Sequence, residues 1–425
     1  MEQGSDRLHA LDAVRGFALL CGIGLHATLP WLENLPDWNF DQAPSAIAAA
    51  IWYFVHIFRM PVFFLIAGYF GRLLTERRGT LAFIRDRAKR ITLPLCIGAL
   101  LIPVFTLLAY ALGSLAGGMS VADLTALATA QREKETHAAA GAARGGMSLG
   151  HLWFLYYLLM FYVGALIVRA AARAAFHGGK PLCHIDRTLR FLMRTGLAAP
   201  ALGLPVAAWY VFNWPEWPCW TGLPAPVSIV PSVPALLAYG LIFAIGWLLH
   251  RQRDLVLQLR ERWMHYSIAA IALAAACYSI AGPTPVWSPY LHGWELRVYA
   301  GAYLTAAWCA SFALIGLSLR FLAHPSPVRR YVADSSYWLY LMHMSAIVFF
   351  VQCLHPLDWH WSVKYTITVA ASVPLLLLSY QAFVRFTFIG AILNGRRAPR
   401  SDARGRLGDR ISAVLRMGGG RGIRA

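Results

Sequence analysis

Arg15 and His26 stand eleven positions apart in Ala10-Leu-Asp-Ala-Val-Arg-Gly-Phe-Ala-Leu-Leu-Cys-Gly-Ile-Gly-Leu-His-Ala27, with no charged side chain between them. At about 100° per residue, eleven steps make three turns and a remainder of about 20°, so a helix puts both side chains on one face, about 16 Å apart along its axis. Ionisable groups inside a membrane span are costly to keep, and two aligned on one face point to a polar path through the bilayer. Two plainer readings compete. Arg15 can snorkel its head group to the lipid surface, and His26 can be a neutral imidazole bonded to a neighbouring helix. Asp12, three residues before Arg15, is placed to pair with it and fix the guanidinium.

Other segments carry similar chemistry. His56 and Arg59 precede Met60-Pro-Val-Phe-Phe-Leu-Ile-Ala-Gly-Tyr-Phe70, where Pro61 removes a backbone donor and Gly68 permits close helix approach. That combination suits an opened helix lining a cavity, or an irregularity of packing. Arg87 and Arg90, one turn apart at the start of an apolar run, can clamp phosphates through their forked donors. His151-Leu-Trp-Phe-Leu-Tyr-Tyr157 reads as an interfacial aromatic belt, particularly for Tyr156 and Tyr157, or as a place where His151 and Trp153 meet a sugar. Ser336-Tyr-Trp-Leu-Tyr-Leu-Met-His343 sets Tyr337 and a further histidine in an apolar run, where an interhelical hydrogen bond is the alternative to function for His343.

The elements that must hold these residues follow from composition. With 58% hydrophobic and 14% charged residues over 425 positions, the chain is too apolar for a soluble globular protein. It reads as an all-α polytopic membrane protein with about ten spans, at 10–30, 50–74, 91–113, 151–172, 196–213, 231–250, 263–281, 296–321, 335–354 and 362–386. Arginines crowd alternate connections: Arg72, Arg77, Arg78, Arg85 and Arg87, then Arg173, Arg187, Arg190 and Arg194, then Arg251, Arg253, Arg260 and Arg262. The positive-inside rule places those connections and both termini in the cytoplasm. Glu33, Asp37, Asp41, Trp214, Trp217, Trp220 and Trp294 fall on the other side.

The net charge of +18 is spread over these connections rather than gathered in a nucleic-acid module, so anionic lipid or an anionic cytoplasmic ligand is the expected partner. Seven scattered cysteines show neither metal-ligand spacing nor a disulfide framework. Glu2 and Asp6 at the N-terminus, with no small-residue cleavage pattern, lead us to expect that the first span is retained. Residues 8–390 form the transmembrane domain, 114–149 an outer loop, and 396–425 a basic cytoplasmic tail with the composition of a disordered segment.

Arg15 followed by His26, Arg59-Met-Pro-Val-Phe-Phe with Ala67-Gly-Tyr-Phe70, Arg87 with Arg90, His151-Leu-Trp-Phe-Leu155, and Ser336 to His343 occur in the order seen in the membrane-bound acyltransferase 3 family. The chain resembles that family over about residues 8–390, the Arg-to-His spacing being the specific element. Its His151 segment, with no appended hydrolase-like domain, is similar to the branch acting on osmoregulated periplasmic glucan, although the 114–149 loop is long for it. The resemblance implies a multi-pass enzyme of the bacterial inner membrane. It would move an acyl group from cytoplasmic acyl-CoA to a hydroxyl of a periplasmic glycan.

The resemblance further implies a general base at His26 and donor binding by Arg15, Arg59, Arg87 and Arg90. Asp12, His151, Trp153, Tyr337 and His343 would serve as acceptor contacts or structural support. No metal and no tightly bound cofactor are expected, only succinyl-CoA or acetyl-CoA as co-substrate; a homo-oligomer is compatible with these features. An imidazole with a pKa near 6.5 suits proton removal from a hydroxyl attacking a thioester, and no serine-centred acyl-enzyme motif competes with direct transfer. Acetylation of lipopolysaccharide or exopolysaccharide is an alternative within the family. A transporter or flippase would be expected to show paired repeat halves with matching interrupted helices, which this chain lacks.

Overall fold

In the computed structural model, which describes residues 2–33, 35, 44–127, 129, 148–175 and 181–395, helices account for the architecture and no strand occurs among the described residues. The main helices are α1 (Glu2–Ala27), α2 (Ala46–Arg78), α3 (Thr80–Arg87), α4 (Leu93–Ala116), α5 (Trp153–Ala175), α6 (Pro181–Thr195), α7 (Ala198–Asn213) and α8 (Val233–Leu249). They continue with α9 (Arg253–Glu261), α10 (Trp263–Ala281), α11 (Gly293–Phe321), α12 (Pro327–Leu354), α13 (Trp361–Ser379) and α14 (Phe388–Asn394). Residues 130–147 of the expected outer loop and the tail from 396 lie outside the described residues.

Eight helical segments are long and apolar enough to cross a membrane, and up to ten if each of two bent pairs counts as one span. The pairs explain the difference. The expected spans at 196–213 and 231–250 correspond to α7 and α8, of 16 and 17 residues. Each adjoins an amphipathic helix, α6 or α9, turned away by 111° or 108°. Amphipathic helices at these places were not foreseen, because their arginines read only as connections. The chain is thus a multi-pass, all-α membrane protein.

Local chemistry sets the helix ends. Ser45 starts α2 by accepting a hydrogen bond from the Ala48 amide at 3.3 Å, and Gly79, at φ 80°, stops it. At 33 residues α2 is about 50 Å long, more than a bilayer core requires, so it extends past the hydrocarbon and delivers Arg77 and Arg78 beyond it. Ser326 caps α12 by accepting from the Arg329 amide, and Pro327 fills a first-turn position where its missing N–H costs nothing.

Close packing is bought with glycine at one crossing in particular. A Cβ on Gly68 of α2 would lie 2.1 Å from the Phe243 carbonyl, and one on Gly246 of α8 would lie 2.0 Å from the Leu65 carbonyl. Backbones touch there, as small residues allow between membrane helices. α1 is surrounded by α2, α11, α12 and α13, which makes it a central strut. α4 lies at the periphery: Leu100 and Leu107 are 71% and 69% exposed, an ordinary lipid contact but an aggregation surface in water.

Candidate active site

Between α3 and α4 the chain makes a π turn, Ala88–Thr92, on which Arg90 sits, with Arg87 just before it. Single π turns recur at functional sites because the extra residue redirects side chains. Here the turn faces the N-terminal half of α12, whose Tyr337 hydroxyl donates to the Arg90 carbonyl. Arg87 Nε donates to Asp86 at 3.1 Å, and the Arg87 guanidinium lies over the rings of Phe83 and Tyr162, 5.5 and 5.6 Å from their centroids. Arg90 Nε is 3.3 Å from Asp86 and its Nη2 donates to the Asn394 carbonyl at 2.7 Å. A carboxylate and a helix C-terminus therefore hold both forks in place.

A cavity of about 490 Å³ connects this group to α1 and α2. Asp12, Arg15, Arg87, Arg90, Asp334 and Asn394 line it, together with Arg59, Tyr337, Tyr340 and His343. Its body is apolar, formed by Met60, Phe63, Phe70, Leu74, Phe154 and Leu158 among others. The volume falls within the range of ligand sites that are mainly apolar with a few directing polar groups. Arg15 donates to the Ala333 carbonyl at 2.9 Å and lies 3.5 Å from Asp12, so the expected Asp12–Arg15 pair is present.

Arg59 and His26 meet across α2 and α1, Nη1 to Nε2 at 3.3 Å. Gly22, one turn before His26, leaves room for this: a Cβ there would come 2.8 Å from Arg59 Nη1. The His343 ring stands 5.1 Å from that of His26 and 5.0 Å from that of His151, centroid to centroid. His151 is itself tied to α12, its Nε2 donating to the Leu341 carbonyl at 3.2 Å while Tyr340 donates to the His151 carbonyl at 2.7 Å. Three imidazoles and one guanidinium thus gather, and of these Arg59 and His343 line the cavity. Among the described residues no cluster of three or more His, Cys, Asp or Glu side chains can hold a metal ion.

The structure brings Asp12, Arg15, Arg59, Arg87, Arg90, Tyr337 and His343 to the wall of one cavity, with His26 against Arg59 and the His151 ring against that of His343. Trp153 is different: it is buried against Phe64, Tyr157 and Tyr239 and does not line the cavity. His56 is also occupied elsewhere, bonded to the Leu223 carbonyl at 2.8 Å and stacked on Trp52. Sequence reasoning passed over Tyr340, Asp334, Asp86 and Asn394. Two signals were available: Tyr337, Tyr340 and His343 recur every three residues on one helical face, and Asp86 stands four before Arg90.

A polytopic helical bundle with an arginine-lined cavity beside buried imidazoles is the architecture of a membrane-embedded enzyme. The acyltransferase 3 family model, described as an acyltransferase domain, matches residues 8–381, and the chain belongs to that family of acyltransferases. It is similar to glucans biosynthesis protein C of Escherichia coli strain K12, 32% identical over 112 residues, which is 26% of this chain and 29% of the relative. The protein of that name from Escherichia coli O1:K1 / APEC is 31% identical over 112 residues, again 29% of its length. The matched stretch therefore spans under a third of these curated relatives. No solved structure matches the chain.

Proposed function

We propose that this enzyme transfers an acyl group, succinyl or acetyl, from cytoplasmic acyl-CoA to a hydroxyl of a periplasmic glycan, with a glucan as the leading acceptor. The observation that carries this reading is one cavity lined by Arg15, Arg87, Arg90, Arg59 and His343, with His26 held against Arg59 and His343. Arginine forks suit the phosphates of CoA, the apolar body suits its pantetheine arm, and the imidazoles suit proton handling where hydroxyl meets thioester. Basic connections on the arginine side favour a cytoplasmic cavity mouth in a bacterial inner membrane, with both termini and the 396–425 tail on that side. The glucan acceptor rests on the names of the relatives. The transmembrane acyltransferase domain covers residues 8–390.

Purified protein in liposomes, given radiolabelled succinyl-CoA or acetyl-CoA and a β-glucan oligosaccharide, should transfer label to the sugar. Label that never leaves CoA refutes the reading. Changing Arg15, Arg87 or Arg90 to Gln should each raise the donor Kd about tenfold or more, the cost of roughly 1.5 kcal/mol or above for one charge-assisted hydrogen bond. Unchanged donor Kd in all three variants removes the phosphate role.

A further inference from the structure

His26 and His343 lie side by side, yet the groups that fix their rings leave opposite chemistry unspent. Arginine can only donate, so the Arg59 contact at 3.3 Å makes His26 Nε2 an acceptor and puts the ring proton on Nδ1, which is buried without a partner. A carbonyl can only accept, so the 2.7 Å contact with the Tyr340 carbonyl puts the His343 proton on Nδ1 as well. His343 Nε2 is then a lone pair, buried, without a partner, on a residue that is 2% exposed and lines the cavity. Both rings carry their proton on the same atom. The free nitrogen is a donor on His26 and an acceptor on His343.

We infer that His343 takes the proton of the attacking hydroxyl and that His26 donates a hydrogen bond to the thioester oxygen as it becomes an oxyanion; this division rests on acyl transfer at this site. The hydroxyl oxygen bonds to the acyl carbon as its proton moves to His343 Nε2, and the carbonyl electron pair withdraws onto oxygen. Arg59 Nε, also buried without a partner, adds a second N–H beside His26 for that charge. Collapse of the tetrahedral intermediate breaks the carbon–sulfur bond, and His343 returns its proton to the leaving thiolate. The products are the ester and free CoA, with His343 neutral again. A base must have an open lone pair before the reaction begins, and the Arg59 cation covers that of His26.

The charged and titratable groups facing His343 are His26 from α1, Arg59 from α2, His151 from the turn before α5, and Tyr340 on its own helix. None is a carboxylate. The cavity's carboxylates, Asp12 and Asp334, are the same in every variant compared, so an inflection that one substitution alone abolishes reports the imidazole it replaces.

The test compares His343→Asn, His26→Asn and His26→Ala in liposomes, reading the rate of label transfer from succinyl-CoA or acetyl-CoA to a β-glucan oligosaccharide as a function of pH. Asparagine at 343 keeps an N–H for the Tyr340 carbonyl but has no basic lone pair. It should lose about 100-fold or more and abolish the acid-side inflection. His26→Ala should fall by about 100- to 1000-fold, as for a lost oxyanion donor, and keep the inflection, as should His26→Asn. An inflection lost in the His26 variants and kept in His343→Asn overturns the assignment. Solid-state ¹⁵N NMR of histidine-labelled protein in bilayers, with His343 assigned by its absence from His343→Asn, decides independently of activity: an Nδ1–H ring supports it, and an Nε2–H ring overturns it. Wild-type protein that fails to transfer label refutes the glycan reading, leaving the NMR result to decide the role of His343.

Discussion

Gly22 shows how little room the chemistry has at the scale of a residue. It stands one turn before His26 on the face that Arg59 crosses, where even a methyl group would press on the guanidinium. Gly22→Ala should therefore push Arg59 off His26 Nε2, at a helix position where alanine is otherwise the better residue by about 0.5–1 kcal/mol. We expect thermal stability in detergent to hold within a few degrees while transfer falls about tenfold or more, the range set by loss of one charge-assisted hydrogen bond. Full transfer in Gly22→Ala would show that the Arg59–His26 contact does not matter. His151 and Tyr340 illustrate a different dependence, because each is held by the other's segment and neither could be oriented from its neighbours in sequence.

Tyr337 links two elements whose relation decides where the arginines point. The π turn at residues 88–92 joins α3 to α4, and the Tyr337 hydroxyl on α12 holds it by the Arg90 carbonyl. α14 closes the same region from a third side, its Asn394 carbonyl accepting from Arg90 and its Asn394 amide donating to the Tyr380 hydroxyl at 3.1 Å. Tyr337→Phe removes about 1 kcal/mol of hydrogen bonding from a group that positions Arg87 and Arg90 without touching the imidazoles. The expected outcome is a donor KM raised about fivefold with kcat little changed. A fall in kcat at constant KM would place Tyr337 in the chemical step instead.

For the whole molecule, the direction of transfer depends on which end of the bundle faces the cytoplasm. Thr80, at the arginine-rich end, and Glu216, in the Trp-rich turn after α7, are both exposed and are separated by three spans, so they should lie on opposite sides. With the exposed Cys96 and Cys183 replaced by serine, an impermeant thiol reagent applied to intact spheroplasts should label Glu216→Cys and spare Thr80→Cys. The reverse pattern would turn the cavity mouth outward and exclude cytoplasmic acyl-CoA as the donor at that mouth.

Composition and hydropathy alone determined that this chain is an all-α multi-pass membrane protein, because the cost of unpaired backbone in lipid leaves helices as the solution for long apolar runs. Helical periodicity likewise put Arg15 and His26 on one face, and the ordered motifs carried the family. The sequence did not separate Trp153, which packs in the core, from His151, which adjoins the cavity, since both lie in one aromatic stretch with the same local pattern. Nor could it place Arg59 on His26, the Tyr340 carbonyl on His343, or α14 against Arg90. Those meetings join residues that only helix packing brings together, apart from the Tyr340 bond, whose effect matters because α1 sets His26 opposite the nitrogen it leaves free. Which imidazole nitrogen is bound and which is open is therefore a property of the tertiary structure: the ring's chemistry is set by the partner that packing supplies.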